Sequence, residues 1–282
     1  MMVFNPLKMS DLAACLPALN PGAIIAGGCT DLSVRFLKVA KPEQLLSIKL
    51  VSELRNISVV DGYLHIGAAV TLTELTEYPL PGGLAALKQA ASDVGSKQIR
   101  NTATIGGNIM NASPAGDMLP CLFMFGSHVE YMKPDGSVCN RPIEDIVTGS
   151  GKTSLAYNEV LTAVKIPIPP ENLYSAFWKL GFRKKVTIAR INIAMSASAS
   201  NDKIDEICFF MGAVAPVPAR IGEAEKILLE NKWNTDTCEK LTEYLSDMLK
   251  RTVPVEFDRD YKVFAIKGAI HDILQRFPYW AE

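Results

Sequence analysis

Two double-glycine turns constrain this chain more than any other feature. Ala26-Gly27-Gly28-Cys29-Thr30-Asp31 follows the apolar run Ala23-Ile24-Ile25, and Thr104-Ile105-Gly106-Gly107-Asn108 recurs well downstream. Glycine in a turn allows positive φ and lacks the Cβ that would hold a ligand at a distance. Successive main-chain N–H groups in such a turn can converge on an anion. Thr, Asp and Asn flank the two turns, and Ser113 and Asp117 follow the second, forming a polar cluster in an otherwise apolar stretch. Two such turns predict a ligand gripped by backbone from both sides, as a diphosphate-containing cofactor would be. The spacing is not GxGxxG, so the dinucleotide fingerprint of the doubly wound fold is absent.

Composition removes other classes. A net charge of −1 gives no electrostatic case for nucleic acid or an anionic membrane. No apolar run reaches the ~18–20 residues that span a bilayer. Met1–Ser10 lacks the basic and apolar regions of a secretory signal. Cys15, Cys29, Cys121, Cys139, Cys208 and Cys238 include no CxxC pair, so neither a zinc nor an iron–sulfur site is expected. Reduced thiols in the cytoplasm are the simplest reading. His65, His128 and His271 are scattered, and His128 reads as a structural residue of a strand.

Gly149-Ser150-Gly151-Lys152-Thr153 imitates a phosphate-binding loop, but Ile146 stands where the first glycine is required. Phe182-Arg183-Lys184-Lys185 reads as a solvated hairpin end, and Arg220 before Glu223 and Glu225 as helix-end electrostatics.

The element pattern starts with a small β-α-β unit. A helix over Leu12–Leu19 is capped by Ser10-Asp11, and a strand over Ala23–Ala26 enters the first glycine turn. Thr30 or Asp31 caps a helix through Leu37, and Gln44–Leu50 forms the next strand. Ile57–Val60 and Tyr63–Ile66 form a hairpin about Asp61-Gly62. A helix spans Gly83–Val94, Asp117 caps a helix through Phe123, and Val129–Met132 pairs with Ser137–Arg141. Val160–Ile168 is a strand ending at Pro169-Pro170, the best linker candidate. Beyond it, Ser175–Arg183, Ile188–Ser200 and Ile204–Ala213 read as a three-stranded meander. Helices over Arg220–Glu230, Thr235–Leu249 and Val263–Phe277 follow. Strands first and helices after define an α+β domain.

These residues resemble the FAD-binding subunit of the molybdenum hydroxylases, the family of xanthine dehydrogenase and carbon monoxide dehydrogenase. Residues 26–32 are similar to its first diphosphate loop, and Arg100–Ile109 with Ala112–Asp117 to its second flavin segment. Gly149–Pro167, Ser175–Lys179 and Val214–Arg220 continue the likeness nearly end to end. The resemblance implies an α+β fold: a two-subdomain FAD-binding domain of the vanillyl-alcohol oxidase (PCMH) type over 1–170, then a smaller α+β domain over 171–282. The subdomains fall at about 1–55 and 56–170. It also implies the site. Ile25, Ala26, Gly27, Gly28, Cys29, Thr30, Asp31 and Leu32 wrap the diphosphate. Thr104, Ile105, Gly106, Gly107, Asn108 and Ser113 hold it and the flavin from the other side. Val94, Asp117, Leu161 and Lys179 match further FAD contacts, with Asp117 accepting from cofactor hydroxyls and Lys179 placing a cation near the flavin.

Three positions depart from the family. Cys29 stands where relatives often carry Asn, His or Ser; Val94 stands where xanthine dehydrogenase has an aromatic residue; and Thr187 stands where many members have an acid. The four-cysteine insertion of 4-hydroxybenzoyl-CoA reductase is missing.

The function so implied is electron transfer. A molybdopterin large subunit oxidises the substrate, a small subunit with two [2Fe–2S] clusters relays electrons, and non-covalent FAD here passes them to NAD+ or another acceptor. A stand-alone flavin oxidoreductase of the same fold, or an assembly subunit without FAD, are the rival readings.

Overall fold

In the computed structural model, which describes residues 1–37, 40–183, 186–200 and 203–280, the chain opens on a small parallel sheet. Strands β1 (Met2–Phe4), β2 (Ile24–Ala26) and β3 (Gln44–Ser47) pair in the order β1-β3-β2. Helix α1 (Met9–Cys15) and a 3-10 turn (Leu16–Ala18) precede β2, and α2 (Leu32–Arg35) links β2 to β3. The β-α-β unit is present, and β1 adds a strand that the sequence reading lacked.

The helix ends differ from expectation. Lys8, not Ser10 or Asp11, stands at the N-cap of α1, and Pro17 turns the chain into a 3-10 turn short of Leu19. Helix α2 ends at Arg35, and Asp31 at its N-cap makes no side-chain capping bond.

A five-stranded antiparallel sheet follows. It is built from β4 (Ile57–Val60), β5 (Tyr63–Gly67), β6 (His128–Met132), β7 (Val138–Pro142) and, after the two-stranded β8 (Val147–Gly149) and β9 (Lys152–Thr153), β10 (Val160–Pro167). Its order is β4-β5-β10-β6-β7. Asp61 and Gly62 both take positive φ, 50° and 77°, as a two-residue type I′ hairpin requires. The helices of this stretch of chain are α3 (Leu72–Glu77), α4 (Ala85–Asp93), α5 (Lys97–Arg100), α6 (Ile105–Asn111), α7 (Met118–Met124) and α8 (Ile143–Ile146). A capping box opens α3: the Thr71 hydroxyl accepts from Glu74 N, and the Glu74 carboxylate accepts from Thr71 N at 2.8 Å. The Gly149–Thr153 segment is the β8–β9 hairpin, turned at Gly151 with φ 63°.

The chain divides into two compact units. The first holds Met1–Tyr78, Ser96–Ser113 and Phe125–Pro167; the second holds Pro79–Gly95, Pro114–Met124 and the chain from Ile168. Helices α4 and α7 therefore belong to the second unit.

That unit has a four-stranded antiparallel sheet, β11 (Leu173–Leu180), β12 (Ile191–Ser200), β13 (Lys203–Gly212) and β14 (Ala219–Arg220), in that order. The expected meander gains β14 as a fourth strand. Helices α9 (Gly222–Glu230), α10 (Thr235–Thr252) and α11 (Glu256–Leu274) pack on one face through Trp178, Ile193, Phe209, Trp233, Leu241 and Ile270. Helices α4 and α7 cover the other. Strand β12 is consequently buried along nearly its whole length, as strands covered on both faces are. Helix α11 starts two turns earlier than Val263. Buried Lys262 and exposed Phe257 disguise its apolar period there.

Among the described residues no helix is long and apolar enough to cross a membrane.

Candidate functional site

The two double-glycine segments meet in the first unit, but only the first is a turn: Gly106 and Gly107 lie in the opening of helix α6, which Thr104 caps. Strand β2 delivers the chain into residues 27–31, whose carbonyls then anchor α2: Ser33 N donates to Cys29 O and Arg35 N to Asp31 O. Neither Gly27 nor Gly28 has positive φ; the left-handed residue of this loop is Cys29, at φ 57°. The glycines serve a different need. A Cβ on Gly28 would run into the Thr102 carbonyl, and one on Gly27 into the Thr104 hydroxyl. Their bareness lets the first loop lie directly on the second. So laid, the loop keeps its donors: no main-chain N–H of residues 27–31 has a protein acceptor among the described residues. The Cys29 thiol lies 3.9 Å from the Gly27 carbonyl, and burial pushes its pKa up.

The second segment is anchored along the stretch Ala68–Leu72. Leu72 N donates to Ala103 O, Ile105 N to Val70 O at 3.0 Å and Gly106 N to Ala68 O at 3.0 Å. Thr104 caps α6, its hydroxyl accepting from Gly107 N at 3.1 Å, and Asn108 N bonds Thr104 O at 2.9 Å. Gly106 is bare because its Cβ would come within 2.8 Å of Ala68. Here the helix and its neighbour use the N–H groups of residues 105–108. What the segment retains is a side chain: Asn108 Oδ1 is buried and has no hydrogen-bond partner among the described residues.

Ala112 ends α6 in the left-handed region, φ 44°, and its carbonyl accepts from Gly151 N at 2.8 Å. Half-buried Ser113 follows it. Leu161 is buried at the bulge where β10 shifts register against β6.

The second unit carries Val94, Asp117 and Lys179. Val94 is half-buried at the end of α4. Asp117 Oδ2 meets Lys179 Nζ at 2.5 Å, with both side chains 6 % exposed. Lys179 also donates to Asp93 O at 3.0 Å. Its charge is therefore neutralised by Asp117 rather than presented as a lone cation. Burial pushes the Asp117 carboxyl up to about 6, against the opposing pull of Lys179 and Asn192. The carboxylate expected to cap α7 is directed at these two side chains. Asn192, fully buried, donates to Asp117 Oδ1 at 3.4 Å and was missed in the sequence. The available signal was an amide inside the apolar run Ile191–Met195.

A pocket of about 570 Å³ also lies in this unit, lined among others by Arg183, Thr187, Ile188, Arg190, Asp258 and Lys262. Asp258 bonds both Arg190, at 2.9 Å, and Lys262, at 2.6 Å. Lys262 also donates to Ala213 O at 2.6 Å, and Arg190 lies 4.1 Å over the Phe182 ring. Arg183 is exposed, while Lys184 and Lys185 of the basic run lie outside the described residues. Arg220 pairs with Glu225 at 2.9 Å, the helix-end contact expected of it.

A loop whose N–H groups meet no acceptor among the described residues, and a buried amide oxygen with no partner among them, suit a ligand with phosphate oxygens and hydrogen-bond donors. FAD has both, and the family whose model the chain matches is one of FAD-binding flavoproteins. Residues 1–169 match the family model for the FAD binding domain in molybdopterin dehydrogenase, and residues 176–276 that for the CO dehydrogenase flavoprotein C-terminal domain. The chain belongs to this family of molybdopterin-dehydrogenase flavoprotein subunits, which are oxidoreductases.

It is 34% identical over 242 residues to the xanthine dehydrogenase FAD-binding subunit of Escherichia coli O157:H7, covering 84% of this chain and 82% of that one. Identity to the nicotinate dehydrogenase FAD-subunit of Eubacterium barkeri is 33% over 259 residues, covering 88% and 85%. A solved carbon monoxide dehydrogenase from Hydrogenophaga pseudoflava matches with a TM-score of 0.86 at 25% identity, over 98% of this chain and 96% of that one.

Proposed function

We propose that this chain is the electron-transfer flavoprotein of a heteromeric, cytoplasmic molybdenum hydroxylase. It takes electrons from the [2Fe–2S] clusters of a small partner, downstream of a molybdopterin subunit that oxidises the substrate, and passes them to NAD+. Bound FAD supplies the step between single-electron carriers and a two-electron acceptor.

The observation that carries this reading is the row of unengaged N–H groups on residues 27–31, held open because Gly27 and Gly28 let the loop rest on Thr102–Thr104. These groups would hold the diphosphate. Asn108 would accept a cofactor hydrogen through its unpartnered Oδ1, and Asp117 would accept another while ionised. Ser113, Leu161, Val94 and Lys179 are assigned to the FAD contacts on the family resemblance. For the acceptor, the pocket of about 570 Å³ is of small-molecule size and sets Arg183, Arg190 and Lys262 against Asp258. Its positive excess suits a ligand carrying phosphates.

Purified chain titrated with FAD should develop bound-flavin absorption at one FAD per chain. A colourless protein that takes up no FAD sinks the proposal. Anaerobic NADH should then bleach the flavin. Bleaching by dithionite but not by NADH would remove NAD+ as acceptor and leave the flavin reading intact. Co-purification of the tagged chain with an iron–sulfur and a molybdopterin subunit checks the assembly.

A further inference from the structure

Strands β11, β12 and β13 bring Lys179, Asn192 and Gly212 side by side: Lys179 pairs with Asn192, and Asn192 with Gly212. Residues paired across neighbouring strands share a face of the sheet. On that face lies Asp117. Its Oδ2 takes the Lys179 ammonium at 2.5 Å, and its Oδ1 accepts from Asn192 Nδ2 at 3.4 Å. The same amide nitrogen donates to Gly116 O at 3.3 Å.

Asn192 is fully buried, and its Oδ1 has no partner among the described residues. An unmet buried acceptor is unfavourable, and an apolar side chain of the same shape would avoid it. The amide also dictates its neighbour. A Cβ on Gly212 would collide with Asn192 Oδ1 and come within 2.9 Å of Pro120 Cγ. Two positions of the sheet are thus given over to an amide whose donors both serve the Gly116-Asp117 segment.

We propose that Asn192, seated on Gly212, is a positioning residue for Asp117: it orients the carboxylate that receives FAD and keeps it ionised. This rests on the reading that Asp117 contacts FAD. The surroundings fit the role. Burial disfavours the ionised carboxylate and Asp93, at the end of α4, opposes it further; Lys179 on β11 and Asn192 on β12 favour it. Cys121 on α7, a further titratable neighbour, is itself held protonated by burial.

The test is a carboxyl-carbon NMR titration of Asp117 in the cofactor-free full chain, with FAD affinity measured across the same pH range. Asn192→Leu should raise the Asp117 midpoint by about one pH unit. It should weaken FAD binding about tenfold at acidic pH, yet leave it within about twofold at alkaline pH, where Asp117 ionises regardless. An unchanged midpoint, or a loss of affinity uniform in pH, overturns the proposal. If Asn192→Leu does not fold, Asn192→Asp carries the test. That acid of the same shape sets a like charge beside Asp117 and should raise the midpoint further; a midpoint that stays in place overturns the proposal. Asp117→Asn separates the two ideas. Undiminished FAD affinity in that variant removes Asp117 from the site altogether, whereas a loss there beside a silent Asn192→Leu rejects only the role of Asn192.

Discussion

Loop 27–31 and segment 104–108 share a double glycine and use it in opposite ways. In the loop, the missing side chains make room for the Thr102–Thr104 backbone, and the main-chain donors stay unengaged. In the segment, Gly106 makes room for Ala68, and the donors are used in joining α6 to its neighbour. The loop leaves backbone donors open among the described residues, whereas the segment leaves open a side-chain acceptor, Asn108 Oδ1. A glycine pair in a sequence therefore marks a close approach without saying what approaches; the hydrogen-bond inventory does.

The contrast can be broken most directly at Gly28. The atom blocking a Cβ there is a backbone carbonyl, which cannot swing aside. Gly28→Ala should lower stability by about 1–3 kcal/mol and weaken FAD binding about a hundredfold, the equivalent of about 2.7 kcal/mol. Thermal melts and flavin fluorescence titration read both. Wild-type values in that variant would show that the loop does not depend on lying against Thr102.

Asp117 offers a side-chain counterpart whose effect depends on pH. Its carboxyl is raised from 3.8 to about 6 by burial. The folded chain thus holds a proton that the unfolded chain releases. The contribution to cofactor-free stability is fully present below the unfolded value and is lost as pH rises through about 6. A difference of about 1–3 kcal/mol between pH 4 and pH 7 is expected. FAD affinity should run the other way, rising as Asp117 ionises. Denaturant melts of the wild type and Asp117→Asn isolate the effect; an identical pH slope in the two refutes it.

Asn108 sharpens the second half of the contrast. Asn108→Ala removes an acceptor that no described residue uses. It should cost FAD about tenfold in affinity, about 1–2 kcal/mol, while leaving cofactor-free stability unchanged or slightly improved. Lost stability with intact FAD binding would mean that the amide serves the fold. Cys29 gives the smallest effect. Asn tolerates the left-handed region better than Cys, so Cys29→Asn should raise stability by about 0.5–1 kcal/mol. FAD affinity should hold within about twofold if the N–H groups do the binding. A marked gain in affinity would give the side chain at 29 a direct role.

Much of this was legible before any coordinates, for local reasons. Asp61-Gly62 announces its hairpin because few other pairs tolerate two positive φ values in succession. The strands of the second unit show through long apolar runs. What stayed hidden depends on partners distant in the chain. β1 and β14 are three and two residues long, too short to carry a pattern. Helices α4 and α7 join the second unit through packing on β11, β12 and β13 that no window of sequence contains. The site followed the same rule. Gly27, Gly28, Gly106 and Gly107 were visible as a motif, but the positive φ expected of them falls on Cys29. Asn192 became conspicuous only when strand register set it beside Lys179.

Strand β12 carries one more consequence. Its two buried faces differ in bulk and in polarity: Ile191, Ile193 and Met195 fill the side toward α9–α11, whereas Asn192, Ala194, Ser196 and Ser198 line the other. The small side chains of that face, with the Asn192 bonds to Gly116 and Asp117, set how near α7 rides to the sheet, and with it the reach from Asp117 to Lys179. One added methylene at Ala194 would act as a shim, lifting the carboxylate from its lysine without touching either residue.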